Sequence, residues 1–166
     1  MSNYKPRIRV ESTHVKRLLE LVSIAGIIYN AFVLLRNWES IPDTVPSHFG
    51  LDGRPDAYAG KSSLLLLPIV GFAIYLALTI LDRYPHLFSY IWKITPENAY
   101  RQYQLAGTML SALKAEVIWI FNYIVLTAIK ISTGNSERLS PLFLPILLVV
   151  IFGPICLYLY VSYKEK

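Results

Sequence analysis

The sequence predicts an all-α integral membrane protein. It is expected to be a four-transmembrane-helix bundle with both termini inside and an ordered extracytoplasmic loop between helices 1 and 2. Three observations predict this class. Only 16% of the 166 residues are charged while 54% are hydrophobic, against about a quarter charged in an average soluble domain. The apolar residues are bunched into long runs rather than spread at amphipathic spacing, as lipid-facing segments require. Ahead of the first run, Lys5, Arg7, Arg9, Lys16 and Arg17 face only Glu11, a net of +4, the cation excess of a cytoplasmic flank. That local excess also explains the overall +5 without a nucleic-acid partner. The length suits one domain, residues 1–166.

The first helix is read in residues 18–35, an apolar run broken by Glu20 and Asn30, with Trp38 placed at the outer interface. A polar loop, residues 39–62, follows. Residues 63–81 then run for 19 positions without a charge, just enough to cross about 30 Å of hydrocarbon. Pro68 falls near the start of this second helix, and Gly71 allows close helix contact. An inner loop, residues 82–104, contains Thr95-Pro96-Glu97, which reads as a helix start. The third helix continues to residue 129, longer than a bilayer needs, so its first turns are expected to project inward. Its membrane part, residues 112–131, starts beside Lys114 and Glu116, both expected near the inner boundary. A short turn follows, and residues 139–163 form the last span, with a bend expected at Gly153-Pro154.

Cys156 alone rules out an intramolecular disulfide and is expected to be buried in the last helix. No short apolar core with a small-residue cleavage site follows the basic start, so a cleavable leader is not expected. The charges of the two main loops agree with the orientation, −2 for the outer and +1 for the inner.

The outer loop, IPDTVPSHFGLDGRPDAYAGK, carries most of the candidate chemistry. Its Ile-Pro and Val-Pro pairs favour extended backbone, and Leu51-Asp52-Gly53 is suited to a turn. An ordered loop with a strand-like piece over residues 45–49 follows. Its ionisable groups are Asp43, His48, Asp52, Asp56 and Lys61. His48 with Asp52 and Asp56 would be the ligand set of a metalloenzyme. A single histidine without repeated ligand spacing favours structure or partner binding instead, so no metal and no cofactor is assigned. Gly60-Lys61-Ser62 lacks the earlier glycine of a phosphate-binding loop, Pro55 standing there. No catalytic constellation is present, and a non-enzymatic protein is expected.

The loop resembles a bacterial membrane domain-of-unknown-function family that forms the N-terminal part of SdpI-type immunity proteins. Pro46, His48, Phe49, Gly53, Asp56 and Lys61 fall on that family's pattern. The stretch RYPHLFSYIWKITPENAYRQYQLAGTMLSALK resembles the segment that follows in short members, with His86, Thr95, Glu97, Asn98, Arg101, Gln102 and Lys114 at matching places. The resemblance implies a multi-pass protein of the bacterial cytoplasmic membrane that binds an extracellular peptide or a membrane-protein partner through Pro46, His48, Phe49, Gly53, Asp56 and Lys61, to which the loop's own ionisable groups add Asp43 and Asp52. Peptide immunity or sensing would be its process. Full immunity proteins carry a second, C-terminal membrane domain with an Asn- and Gly-rich signature that these 166 residues do not contain.

Two further groups stand out. His86 with Glu97, Asn98 and Arg101 forms either an inner recognition surface or a lock on the inner loop, and the lock is favoured. Lys114 and Glu116 within a span are a functional hypothesis by default, which would make the chain an oligomeric transporter or channel component. Two residues apart, they point in different directions. Lys114 is therefore expected to snorkel to the inner surface and Glu116 to meet a basic group on a neighbouring helix or the inner loop.

Overall fold

A computed structural model describes residues 5–166. Four helices are long and apolar enough to cross a membrane, so this is a multi-pass membrane protein. They are α1 (His14–Asn37), α2 (Leu66–Leu81, preceded by a 3₁₀ turn at Lys61–Leu65), α3 (Ala99–Ser132) and α4 (Phe143–Lys164). The expectation of an all-α chain needs one correction. The loop between α1 and α2 folds into a hairpin of two antiparallel strands, β1 (Thr44–Phe49) and β2 (Pro55–Gly60).

Local chemistry sets the boundaries. Thr13 caps α1, its hydroxyl accepting from the Lys16 amide at 3.0 Å. Pro68 offers no N–H to the Leu64 carbonyl, and the chain passes from 3₁₀ to α geometry just before it. Thr95 and Asn98 bond reciprocally, each side chain accepting from the other's amide at 3.4 and 2.9 Å. This is capping-box geometry, and the first regular helical residue is Ala99. α3 ends in a Schellman motif: Gly134, at φ +76°, donates to Ile131, and Asn135 donates to Lys130. α4 runs through Pro154 as one helix.

α3 is the centre, packing against α1, α2, α4 and β1. At about 51 Å its 34 residues exceed the hydrocarbon thickness, so its first turns project beyond it. Lys16 meets Asp82, and Gln102 reaches Ser162. The start of α1, the end of α2, the start of α3 and the end of α4 therefore share one end of the bundle, and the hairpin lies at the other. α4 is the least enclosed helix, with only Ser162 buried. Cys156 is accordingly exposed rather than buried.

Glycines set how closely the helices approach. A Cβ on Gly26 would lie 2.6 Å from Ile118, and one on Gly71 would lie 3.1 Å from Phe121 and 3.4 Å from Ile118. Gly26 and Gly71 stand at the middles of their spans, so Ile118 marks the mid-level of the bundle. Glu116 is then about 3 Å and Lys114 about 6 Å from that level along α3. The pair does not lie at the inner boundary as expected.

Candidate functional site

The hairpin is pinned at its base. Val45 is fully buried and joins Val33, Leu34, Ile41, Leu64, Val125, Ala128 and Ile129 in one core cluster. Phe49 packs against the same cluster, and Pro46 is buried opposite Tyr58. The register is irregular around His48, and such a bulge re-aims the side chain it carries. His48 Nδ1 lies 2.6 Å from Asp56 Oδ1 across the strands, both largely in solvent. At the base, the Lys61 amide donates to the Asp43 carbonyl, and the two side chains stand 3.9 Å apart with Lys61 over the Trp38 ring.

The tip is pinned too. Gly53 adopts φ +78°, and its carbonyl accepts from the Leu139 amide at 2.8 Å. A Cβ there would meet the Leu139 carbonyl oxygen at 3.0 Å. Asp52 turns inward on the loop, accepting from the Arg54 amide at 3.0 Å. The hairpin thus leans across the α3–α4 connection and encloses a cavity of about 370 Å³ with it. Ser47, His48, Phe49 and Asp52 form one wall, and Leu139 and Phe143 belong to the other. All eight outer-loop candidates lie on this one hairpin or its base. Among the described residues, no group of three His, Cys, Asp or Glu side chains could hold a metal ion. Asp52 is engaged in the turn while His48 faces Asp56.

The membrane interior holds a network that differs from the sequence expectation for Lys114. Lys114 is 1% exposed and does not snorkel. It forms an ion pair with Glu20 of α1 and donates to Thr79 of α2 at 3.2 Å. Glu20 also accepts from Ser111 at 2.6 Å and Tyr75 at 3.2 Å. Burial decides the geometry: in hydrocarbon, a cation reaches the nearest carboxylate sooner than distant water. Nearer the hairpin, Asn122 takes a bond from Asn30 and donates to the Gly26 carbonyl at 2.9 Å. Glu116 is not drawn into either group. Its Oε2 is buried without a hydrogen-bond partner, so the expected basic neighbour is missing among the described residues. Lys114 and Glu116 therefore do not form one site.

Ser111, Tyr75, Thr79 and Asn122 are functional positions that single-segment sequence reasoning does not single out. A signal existed, since Glu20, Ser23, Gly26 and Asn30 share one stripe of α1. Ser111, Lys114, Ile118 and Asn122 share one stripe of α3.

At the opposite end the second group is dispersed. Asn98 is bound to Thr95 and to the Lys93 carbonyl. Arg101 reaches Gln104 at 2.9 Å and Glu165 at 3.4 Å. Glu97 is fully exposed, and the Thr95 hydroxyl holds its carboxyl below the usual carboxylate range. His86 stands apart, edge-on to Tyr84. Tyr90, stacked on Tyr103, has its phenol pushed up by burial and donates to Pro85. Lys5 donates to the Phe88 carbonyl, and Tyr103 donates to Pro6. These contacts tie the α2–α3 connector to α3 and to the N-terminal segment.

Residues 25–72 match a family described as a domain of unknown function, DUF1648. The matched stretch contains the whole hairpin and the halves of α1 and α2 that carry it. An uncharacterized protein of the archaeon Archaeoglobus fulgidus is 31% identical over 163 residues, covering 89% of this chain and 87% of its own length. No solved structure matches the chain.

Proposed function

This chain belongs to the family of the Archaeoglobus fulgidus protein and carries a DUF1648 domain at residues 25–72, and from that premise we propose that it is a non-enzymatic membrane protein that binds a peptide or protein partner through its hairpin. The hairpin faces out of the cell, and both termini face the cytoplasm. The cation excess of the N-terminal flank supports that orientation. Because the relative is archaeal, the expectation of a bacterial inner membrane widens to a cytoplasmic membrane of either kind.

One observation carries the proposal: the hairpin tip is clamped by the Gly53–Leu139 bond over a cavity of about 370 Å³. A loop whose only task was to join two helices would need neither the clamp nor the cavity. The cavity mixes apolar walls with His48, whose ring is held from outside the cavity by Asp56. Beside it, β2 has no further strand partner among the described residues, leaving an edge to which an extended peptide can add. The motif resemblance to SdpI-type proteins supports a secreted peptide as the ligand and immunity or sensing as the process.

A photo-reactive residue at Leu51, 98% exposed at the tip, tests this in intact cells. Irradiation should capture a peptide or protein of extracytoplasmic origin, and capture should fail in an Asp56→Asn background. Crosslinks confined to lipid, or unchanged by Asp56→Asn, would refute the proposal.

A further inference from the structure

A second cavity lies in the membrane, between α3 and α4, with a volume of about 390 Å³. Its α3 wall carries Glu116, Trp119 and Tyr123. The spacings of three and four place them one above another on a single helix face. Its α4 wall carries Phe143, Leu147 and Val150, again at helical spacing. Tyr123 and Phe143 stack at 5.1 Å between centroids and close the outer end. The wall contains no cation and no anion other than Glu116.

Glu116 makes this more than a lipid-facing crevice. It sits about 3 Å from the mid-level of the bundle, and its Oε2 is shut away from solvent with no donor. Lys114, the nearest cation in sequence, is engaged on another face by Glu20. An unpaired carboxylate at this depth is costly, and a hydrophobic body bearing one positive charge would neutralise it. Trp119, stacked on Tyr29 at 5.8 Å and donating through Nε1 to the Val22 carbonyl at 3.1 Å, and Tyr123, stacked on Phe143, hold a rigid aromatic rim above the carboxylate. The aliphatic side chains of α4 accept the apolar part of such a body.

We propose that the α3–α4 cavity is a binding site for a lipophilic monocation. Its ammonium or pyridinium head sits at Glu116 below Trp119, and its chain lies along Leu147 and Val150. The site does not rest on the hairpin's binding role.

The test uses N-octylpyridinium, whose ring quenches indole fluorescence. The full chain carries Trp38→Phe and Trp92→Phe, leaving Trp119 as reporter, in nanodiscs of zwitterionic phosphatidylcholine. Saturable quenching is expected. Glu116→Gln should weaken it by about tenfold or more, the loss of at least one charge-assisted contact, while Glu116→Asp retains most of it. Octylbenzene, the uncharged counterpart, should not displace the pyridinium from the unsubstituted Glu116 protein. Linear, non-saturating quenching would overturn the proposal, as would equal affinity in Glu116→Gln or full displacement by octylbenzene. The displacement arm stands even if Glu116→Gln fails to fold.

Discussion

His48–Asp56 in the hairpin and Glu20–Lys114 in the bundle both join a carboxylate to a nitrogen base, and their surroundings give them opposite roles. His48 and Asp56 touch at 2.6 Å with 70% and 52% of their side chains in solvent. Water already satisfies both groups, so the contact adds little stability and remains available to a ligand. Lys114 is almost wholly enclosed, and Ser111, Tyr75 and Thr79 complete its network with Glu20. Removing one member there leaves a half-buried or buried charge that has lost its counter-ion. Burial, more than residue type, separates the part that holds α1, α2 and α3 together from the part free to bind.

The largest expected effect breaks the buried side of this contrast. Lys114→Met should lower stability by about 3–5 kcal/mol by stranding Glu20, read as reversible unfolding in mixed detergent and SDS. The double variant with Glu20→Leu should recover much of that loss, since no unpaired charge remains. A Lys114→Met protein as stable as the unsubstituted one would dissolve the distinction between the two regions. Gly26→Ala comes next. Its Cβ would sit 2.6 Å from Ile118, and the same unfolding assay should show a loss of about 1–3 kcal/mol from overpacking.

Gly53→Ala sharpens the hairpin side. The left-handed backbone alone disfavours alanine by about 1–2 kcal/mol, and the added Cβ would crowd the Leu139 carbonyl. The tip should detach from the α3–α4 connection, seen as faster hydrogen exchange at the Leu139 amide and weaker ligand binding. The helices should keep their protection. His48→Ala should have the smallest effect on stability, within about 1 kcal/mol for an exposed pair.

Much of this was legible from single segments. Four apolar runs gave four helices, and the two X-Pro pairs with Leu51-Asp52-Gly53 gave an extended piece and its turn. Thr95 to Asn98 gave the start of α3. β2 was not legible, because Pro55-Asp56-Ala57-Tyr58-Ala59-Gly60 has weak strand propensity and takes its form from pairing with β1. The location of Lys114 was not legible either. One helix read alone shows a cation near an interface, whereas its depth follows from Gly26 and Gly71 drawing their helices onto Ile118. Glu20 and Lys114 were each visible, and only the α1–α3 packing shows that they meet.

The division between a structural interior and a binding hairpin is tested most directly by native mass spectrometry in mild detergent, beside thermal unfolding, of the unsubstituted chain and His48→Ala. The expected result is a peptide or protein partner retained by the first and lost by the second, with unfolding temperatures that coincide once the partner is stripped from both. A partner retained equally by both, or a His48→Ala protein that loses its fold along with its partner, would contradict it.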